Sequence, residues 1–358
     1  MAKHPAIDKD LEQVLAGINK TFGPGSIMRL GDEGAREALQ IKLVSTGSVL
    51  IDRALGGGIP YGRSIEIYGP AMSGKTTLAI HILAQVQREG KLGAFIDVEH
   101  TFPLDLADQY GVDIENLFVC QPESGEEALD IAEALMRTGK FGCVIIDSVS
   151  ALLPTAEAEA EMSNQAMGLQ SRLMSKACRK LTPVAGKNDC IIIFINQIRE
   201  KIGIMYGNPE TTSGGRALEF YSSVRMHVRG GERIQDKKKN AIGHHMVIRV
   251  TKNKIAPPYR VTEVPLIYGV GFDRLYEIAQ VAIDESVVHK AGAWLSYEPD
   301  NKDLLAEGKD KCQWQGQEAF KEDLRSIPEL YEEIREKVYD IILKRKDDEK
   351  VEEEEIEV

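Results

Sequence analysis

One stretch limits what this chain can become more than any other: Gly69-Pro70-Ala71-Met72-Ser73-Gly74-Lys75-Thr76-Thr77. It fits G-x-x-x-x-G-K-[ST], the pattern of a phosphate-binding loop. Arg63 to Tyr68 reads as a short strand entering it, and Thr77 to Arg88 as the helix leaving it. The chemistry needs that order. Glycines at 69 and 74 let backbone N–H groups turn inward on a phosphate, and the helix N-terminus adds its dipole. Lys75 would then reach the β- and γ-phosphates of a nucleoside triphosphate, and the Thr76 hydroxyl would hold Mg²⁺.

The rest of the chain supplies a sheet to carry the loop. Leu92–Asp97, Cys143–Asp147 and Cys190–Asn196 are unbroken apolar runs, separated by helical patterns over Gly125–Thr138 and Gly168–Val184. Strands of that kind between helices predict an α/β fold whose mostly parallel sheet is covered on both faces. After residue 220 the strands lengthen: Ser223–Arg229, His245–Lys252 and Tyr259–Ile267. This predicts an antiparallel extension, with Gly230 to Gly243 as the hairpin connection around Lys237-Lys238-Lys239. From Asp273 a small α/β lobe follows, with a strand-like piece at Trp294–Tyr297 and helix from residue 317 to about 345.

Ahead of the core, Leu11, Val14, Leu15, Ile18 and Phe22 repeat at helical spacing. Gly23-Pro24-Gly25 ends that helix, and Ser26 to Leu30 reads as a strand. A lone helix and strand cannot bury a core, so they must pack on the main domain or on another copy of the chain. The expected segments are 1–36 (helix and strand), 37–272 (core), 273–345 (lobe) and 346–358 (an acidic disordered tail).

Composition removes some functions. No run of eighteen apolar residues is present, and the first ten residues hold no apolar signal core, so a cytosolic protein without membrane contact is expected. The five cysteines show no C-x-x-C spacing, which predicts reduced thiols and no zinc site. Net charge is −12, but residues 347–358 hold eight acids and one base, so the rest of the chain carries only −5 of it. Any polyanion must be held by local basic clusters.

Four more features bear on chemistry. Asp147 ends an apolar strand downstream of the loop, where a carboxylate partners Mg²⁺. Glu99 lies just past the strand ending at Asp97, at the sheet edge where ligands bind, and is placed to orient and deprotonate an attacking water. Gln197 ends the third apolar strand and would touch the γ-phosphate. Behind it, Ile198 to Gly215 is a long loop; Arg199 and Lys201, Tyr206, and Thr211 and Thr212 with the glycine backbone supply charge, an apolar face and donors for a single nucleic-acid strand. The loop from Pro154 to Gly168 is acidic, and the helix after it sets Arg172, Lys176 and Arg179 on one face, a pattern that a solvated surface also explains. Lys252-Asn253-Lys254 could face a phosphate on a neighbouring subunit, or be a plain surface pair.

Taken together these residues resemble the bacterial RecA recombinases. The likeness runs from about Leu11 to Trp294 and rests on Phe22 through Gly31, Gly69 through Thr77, Asp147-Ser148-Val149, Met167-Gly168-Leu169 and Phe194 through Arg199. Tyr206 through Thr212, Lys252-Asn253-Lys254 and Lys290 through Trp294 add to it. The resemblance implies a RecA-like α/β core and ATP with Mg²⁺ bound at a subunit interface. It implies a helical filament docked through the N-terminal segment, with Ile27 and Phe220 at the interface and Lys252 and Lys254 acting in trans. Single-stranded DNA would lie against Arg172, Arg179, Arg199, Met205, Tyr206, Gly207, Asn208, Thr211, Thr212, Gly214 and Gly215. The lobe would gather duplex DNA, the acidic tail would compete with DNA for basic surface, and the ATP-bound filament would exchange homologous strands and trigger self-cleavage of LexA-type SOS repressors.

The chain departs from the family at the base end. Pro103 stands where an Asp contacts adenine, and Leu106 where a Tyr stacks on it; Leu106 would cover the base through apolar contact. Two other classes fit the core: a ring-forming motor such as a helicase, and a non-catalytic DNA-binding regulator. The docking segment disfavours the first, and intact Lys75, Thr76, Glu99 and Asp147 disfavour the second. A metabolic kinase fits worst, because Glu99 and the open loops suit attack by water.

Overall fold

The computed structural model describes residues 9–23, 25–29, 31, 40–160, 168–200, 210–305 and 310–356, by backbone alone at residue 200 and from 343 onward. The chain divides into two units, Met1–Lys42 and Leu43–Val358. In the first, α1 (Lys9–Phe22) buries no residue, and Val14 and Phe22 are 57% and 75% exposed. Residues 26–29 form no strand. A strand needs a partner for its N–H and C=O groups. Here the stretch curls back instead: the Ile27 N–H donates to Asn19 Oδ1 at 3.3 Å, and the Ser26 hydroxyl to the Gly23 carbonyl at 2.7 Å.

The second unit carries the sheet. Its strands are β1 (Leu43–Val44), β2 (Ile59–Pro60), β3 (Ser64–Gly69), β4 (Leu92–Asp97), β5 (Leu117–Cys120), β6 (Phe141–Asp147), β7 (Ile191–Glu200) and β8 (Glu210–Thr212). They continue with β9 (Val224–Gln235), β10 (Ala241–Asn253), β11 (Val261–Ile267) and β12 (Gly271–Phe272). The main sheet runs β12-β11-β10-β9-β3-β7-β6-β4-β5, and β8 pairs with β7. Pairings among β9, β3, β7, β6, β4 and β5 are parallel, and those from β9 to β12 antiparallel, as the sequence predicts.

Unbroken apolar strands feed two cores because side chains alternate across a sheet. Cys143, Ile145, Ile191 and Ile193 enter the core beneath α3 (Lys75–Arg88), while Val144, Ile146, Ile192 and Phe194 enter the one beneath α5 (Gly125–Arg137) and α7 (Leu169–Lys187). The remaining helices before the lobe are α2 (Val49–Leu55), α4 (Leu104–Gln109), α6 (Thr155–Ala158) and α8 (Ala217–Tyr221). Helix α5 starts where the Ser124 hydroxyl caps the Glu127 N–H at 3.2 Å. Helix α7 contains Pro183 and outruns its expected end at Val184 to reach Lys187, because Val184 and Ala185 are buried in the second core.

Two expected loops are shorter than the sequence suggests. The β9–β10 ladder extends to Gln235 opposite Ala241, which leaves only residues 236–240 as the connection. Gly231 and Gly243 belong to the strands. A Cβ at Gly231 would stand 2.9 Å from the His245 carbonyl oxygen, and one at Gly243 2.3 Å from that of Leu266. Their glycines serve close strand approach, not turning. Likewise the stretch after Gln197 opens with a ladder, Ile198 opposite Thr212 and Arg199 opposite Thr211. Residues 201–209 and 161–167 lie outside the described residues, Met205, Tyr206, Gly207 and Asn208 among them.

The C-terminal lobe comprises α9 (Arg274–Asp284), the antiparallel strands β13 (His289–Ala291), β14 (Trp294–Tyr297) and β15 (Cys312–Gln315), α10 (Gly316–Ser326) and α11 (Pro328–Ile356). Phe320, Leu324, Ile334 and Val338 join the same apolar core as Ile51 and Leu55 of α2, so lobe and layer pack as one. Helix α11 continues through the acidic stretch expected to be a disordered tail; its Glu- and Lys-rich composition has good helix propensity. All five cysteines are free thiols. Among the described residues no helix is long and apolar enough to cross a membrane.

Candidate functional site

The loop between β3 and α3 is bent by left-handed backbone at Met72 (φ 57°) and Gly74 (φ 92°). Met72 is 95% exposed. The two glycines answer a packing demand as well as a phosphate. A Cβ at Gly69 would lie 1.9 Å from the Val228 carbonyl oxygen, and one at Gly74 2.7 Å from Met246 Sδ. Strands β9 and β10 thus press the loop from behind. Lys75 folds back on the loop and donates from Nζ to the Pro70 carbonyl at 2.6 Å. Burial pulls its ammonium below the usual value, against the pull of Asp147 and Glu99. Ser73 Oγ is buried without a hydrogen-bond partner, a donor free for a phosphate oxygen.

The carboxylates stand where the sequence places them. Thr76 Oγ1 donates to Asp147 Oδ2 at 2.7 Å. Burial pushes the Asp147 pKa up to about 6; the Thr76 bond and Lys75 oppose the shift, and Glu99 and Asp97 add to it. The peptide between Asp147 and Ser148 is cis. Glu99 Oε1 accepts from the Ser148 hydroxyl and, at 3.1 Å, from Gln197 Nε2. Lys75, Thr76, Asp147, Glu99 and Gln197 therefore share one end of the sheet, at the C-terminal tips of β3, β4, β6 and β7.

Several residues holding that end in place were missed. Asp97 is 1% exposed and fixes the segment after β4 by accepting from the Thr101 and Phe102 N–H groups, each at 3.0 Å, and from Gln121 Nε2 at 2.9 Å. Asn196 is fully buried; its Nδ2 donates to Glu66 Oε1 and to the Ser213 carbonyl, both at 3.0 Å. Glu66, also fully buried, pairs with Arg225 Nε at 2.5 Å. The signal was present. Asp97, Asp147 and Asn196 each end an apolar strand, and Glu66 is a lone charge inside one.

At the base end, Phe102 packs 4.8 Å from Phe95 in tilted geometry, and Leu106 is half-buried against the core. Leu104 beside it is 54% exposed.

Among the described nucleic-acid candidates, the end of the β7–β8 hairpin packs on α7. Gly214 and Gly215 take left-handed backbone (φ 81° and 74°) and press on α7: a Cβ at Gly214 would meet Met174 Cγ at 2.9 Å, and one at Gly215 the Ser171 hydroxyl at 2.7 Å. Arg172, Lys176 and Arg179 are exposed on that helix, and Arg199 is exposed on β7. The hairpin Thr211–Thr212 and the basic helix are thereby joined. Next to them lies a groove that sequence reading did not find, about 620 Å³ in volume and lined by Arg216, Arg225, Arg229 and Arg249 with Tyr68 and Thr211.

The interface candidates are also accessible. Phe220 is 59% exposed with the Arg216 guanidinium 4.9 Å from its ring centre. Lys252 Nζ donates to the carbonyls of Glu219 (2.7 Å) and Phe220 (2.9 Å), and Lys254 is exposed. Ile27 is 40% exposed. Strand β5, unread in the sequence, ends the sheet with Phe118 51% and Val119 44% exposed.

Comparison with known proteins agrees with this geometry. A family model described as the RecA N-terminal domain matches residues 9–273. A protein named Protein RecA from Chloroherpeton thalassium is 46% identical over 95% of this chain and 92% of its own length. Those of Heliobacterium modesticaldum and Staphylococcus carnosus are 49% and 47% identical, over 90% and 92% of this chain and 90% and 89% of theirs.

Proposed function

The chain belongs to the RecA family, and from that premise we propose that it is a DNA-dependent ATPase that polymerises on single-stranded DNA and exchanges homologous strands in recombinational repair. One observation carries the coupling of ATP to DNA. Glu99, the water-activating carboxylate, is hydrogen-bonded to Gln197, and Gln197 leads directly into the β7–β8 hairpin beside the basic helix.

The residues divide the work. The backbone of Gly69–Thr77 cradles the phosphates, with Ser73 Oγ and Lys75 Nζ as donors. Glu99 orients water and takes its proton. Gln197 exchanges its bond to Glu99 for one to the γ-phosphate, so loss of that phosphate is felt at Ile198 and Thr212. Thr76 Oγ1 and Asp147 Oδ2 are hard oxygen atoms 2.7 Å apart; they would hold Mg²⁺, which neutralises charge on the β- and γ-phosphates. Arg172, Arg179 and Arg199 with Thr211, Thr212, Gly214 and Gly215 receive the strand, and Met205 through Asn208 extend that surface. Leu106 covers the base.

The open edge of β5 and the segment 26–29, which joins no sheet among the described residues, suit each other: the N-terminal segment of one copy adds a strand to the sheet of the next. Ile27 and Phe220 enter that interface, and Lys252 and Lys254 reach the neighbour's nucleotide. A cytoplasmic filament of this kind also gathers duplex DNA and stimulates self-cleavage of a LexA-type repressor. Lys75→Ala tests the site: DNA-stimulated ATP turnover should be lost, and unchanged turnover would remove the assignment.

A further inference from the structure

Away from the nucleotide loop, a cavity of about 300 Å³ opens between α3 and the C-terminal lobe. Its walls come from the last turn of α3 (Gln85, Arg88), from α9 (Arg274, Glu277) and from α11 (Tyr331, Arg335). Three guanidinium groups thus line one small space. Arg335 is paired with Glu332 at 2.5 Å, while among the described residues Arg88 and Arg274 have no carboxylate in ion-pair range. Their charges act on one another. Burial, then Arg274 and Arg335, hold Arg88 below its usual value. His81, behind the cavity, falls to about 3 through burial and then through Arg274 and Arg88.

Two buried polar atoms at the cavity have no partner: Gln85 Nε2 and Glu277 Oε1. Glu277 is 1% exposed, and its other oxygen accepts from Ser48 Oγ at 2.6 Å and the Leu50 N–H at 3.3 Å. Burial raises its pKa to about 8, which favours the protonated, donor-capable carboxyl near neutral pH. The acids around the space are already engaged: Glu332 by Arg335, and Asp52 by Ser45, Thr46 and Tyr339. What remains around this space is a set of potential donors: three guanidinium groups in its lining, with the unpartnered Gln85 Nε2 and Glu277 carboxyl buried in its wall. A lining of that kind fits an acceptor-only ligand, and planar guanidinium forks match phosphate oxygens in particular.

We propose that Arg88, Arg274 and Arg335, with Gln85 and Glu277, form a second anion site that takes a small phosphate-class oxyanion between the nucleotide-loop helix and the C-terminal lobe. The volume lies at the lower end for small-molecule sites and suits inorganic phosphate or pyrophosphate. Arg88 stands in the last turn of the helix that begins at Lys75, so the bound anion ties the far end of that helix to α9 and α11.

The test measures binding of labelled phosphate and, separately, pyrophosphate to the full chain with its nucleotide loop saturated by ADP, at fixed ionic strength. The expected result is one bound equivalent beyond the nucleotide, weakened at least tenfold in the double variant Arg88→Gln, Arg274→Gln with ADP affinity unchanged. The arm that binds more tightly identifies which of the two anions the site selects. Arg335→Gln, at an exposed position, serves where the double variant does not fold, and should weaken binding several-fold. No second equivalent, an undiminished equivalent in a folded variant, or equal competition by chloride would each overturn the proposal.

Discussion

Gln197 Nε2 lies 3.1 Å from Glu99 Oε1, which joins the end of β7 to the loop after β4 across the mouth of the nucleotide site. The two side chains stand at the ends of strands that β6 separates, and Gln197 leads into the β7–β8 hairpin proposed to receive DNA. Their separation determines what loss of either should do. Glu99→Gln should lower the ATP turnover number by about 10²–10⁴-fold, the usual contribution of a general base, with little change in nucleotide affinity. Gln197→Ala should leave DNA-free turnover nearly intact and abolish its stimulation by DNA. Steady-state kinetics with nucleotide-binding titrations separates the two outcomes.

The proposed trans role of Lys252 and Lys254 predicts complementation. Lys75→Ala disables the loop of one copy, and Lys252→Ala with Lys254→Ala disables the reach of another. Alone, each variant should turn over little ATP. Mixed one to one on single-stranded DNA, they should recover a measurable fraction, because some interfaces pair an intact loop with intact lysines. No recovery in mixtures that still form filaments would contradict a shared site.

The buried pair Glu66–Arg225 predicts an asymmetric stability response. Arg225→Ala strands a carboxylate that is fully buried and should cost about 3–5 kcal/mol. Replacing both partners, Glu66→Gln with Arg225→Met, should recover most of that loss. Denaturant unfolding checks both. The shared Asn196 bond means the single variant should also loosen the Ser213 end of the hairpin.

Glu277 gives a pH dependence with a definite sign. Burial raises its pKa from 4.5 to about 8 in the fold. Between those values the folded chain keeps a proton that the unfolded chain has released, so this carboxyl lowers stability as pH rises through the window. Glu277→Gln removes the titration. Relative to wild type, the variant's thermal midpoint should improve from pH 5 to about pH 8 and level off above it. A difference independent of pH would show that Glu277 does not titrate in this range.

Much of this was written in the chain. The nucleotide loop, the three apolar strands and the sheet's change from parallel to antiparallel follow from local pattern, because period and spacing are local properties. Gly231 and Gly243 misled, since a glycine that turns a chain and one that admits a neighbouring strand look alike until the partner is present. The segment 26–29 shows a related limit: its alternation suits a strand, but among the described residues no strand pairs with it. Asp97, Asn196 and the arginine groove were unread because their partners lie far away in sequence, such as Asn196 from Glu66, a separation of 130 residues. At the base end, Pro103 and Leu106 replace the residues expected of the family, and the half-buried Leu106 with the exposed Leu104 predicts weaker discrimination among purine nucleotides. Comparing turnover of ATP and GTP checks that.

In the proposed mechanism one site hydrolyses ATP fastest when subunits stack on DNA. This is tested most directly by measuring ATP hydrolysis with and without single-stranded DNA over a salt series, with electron microscopy of the same samples. The account predicts that turnover rises with DNA, falls as salt weakens phosphate contacts, and tracks the length of helical filaments. Turnover indifferent to DNA, or active samples containing only closed rings, would contradict it.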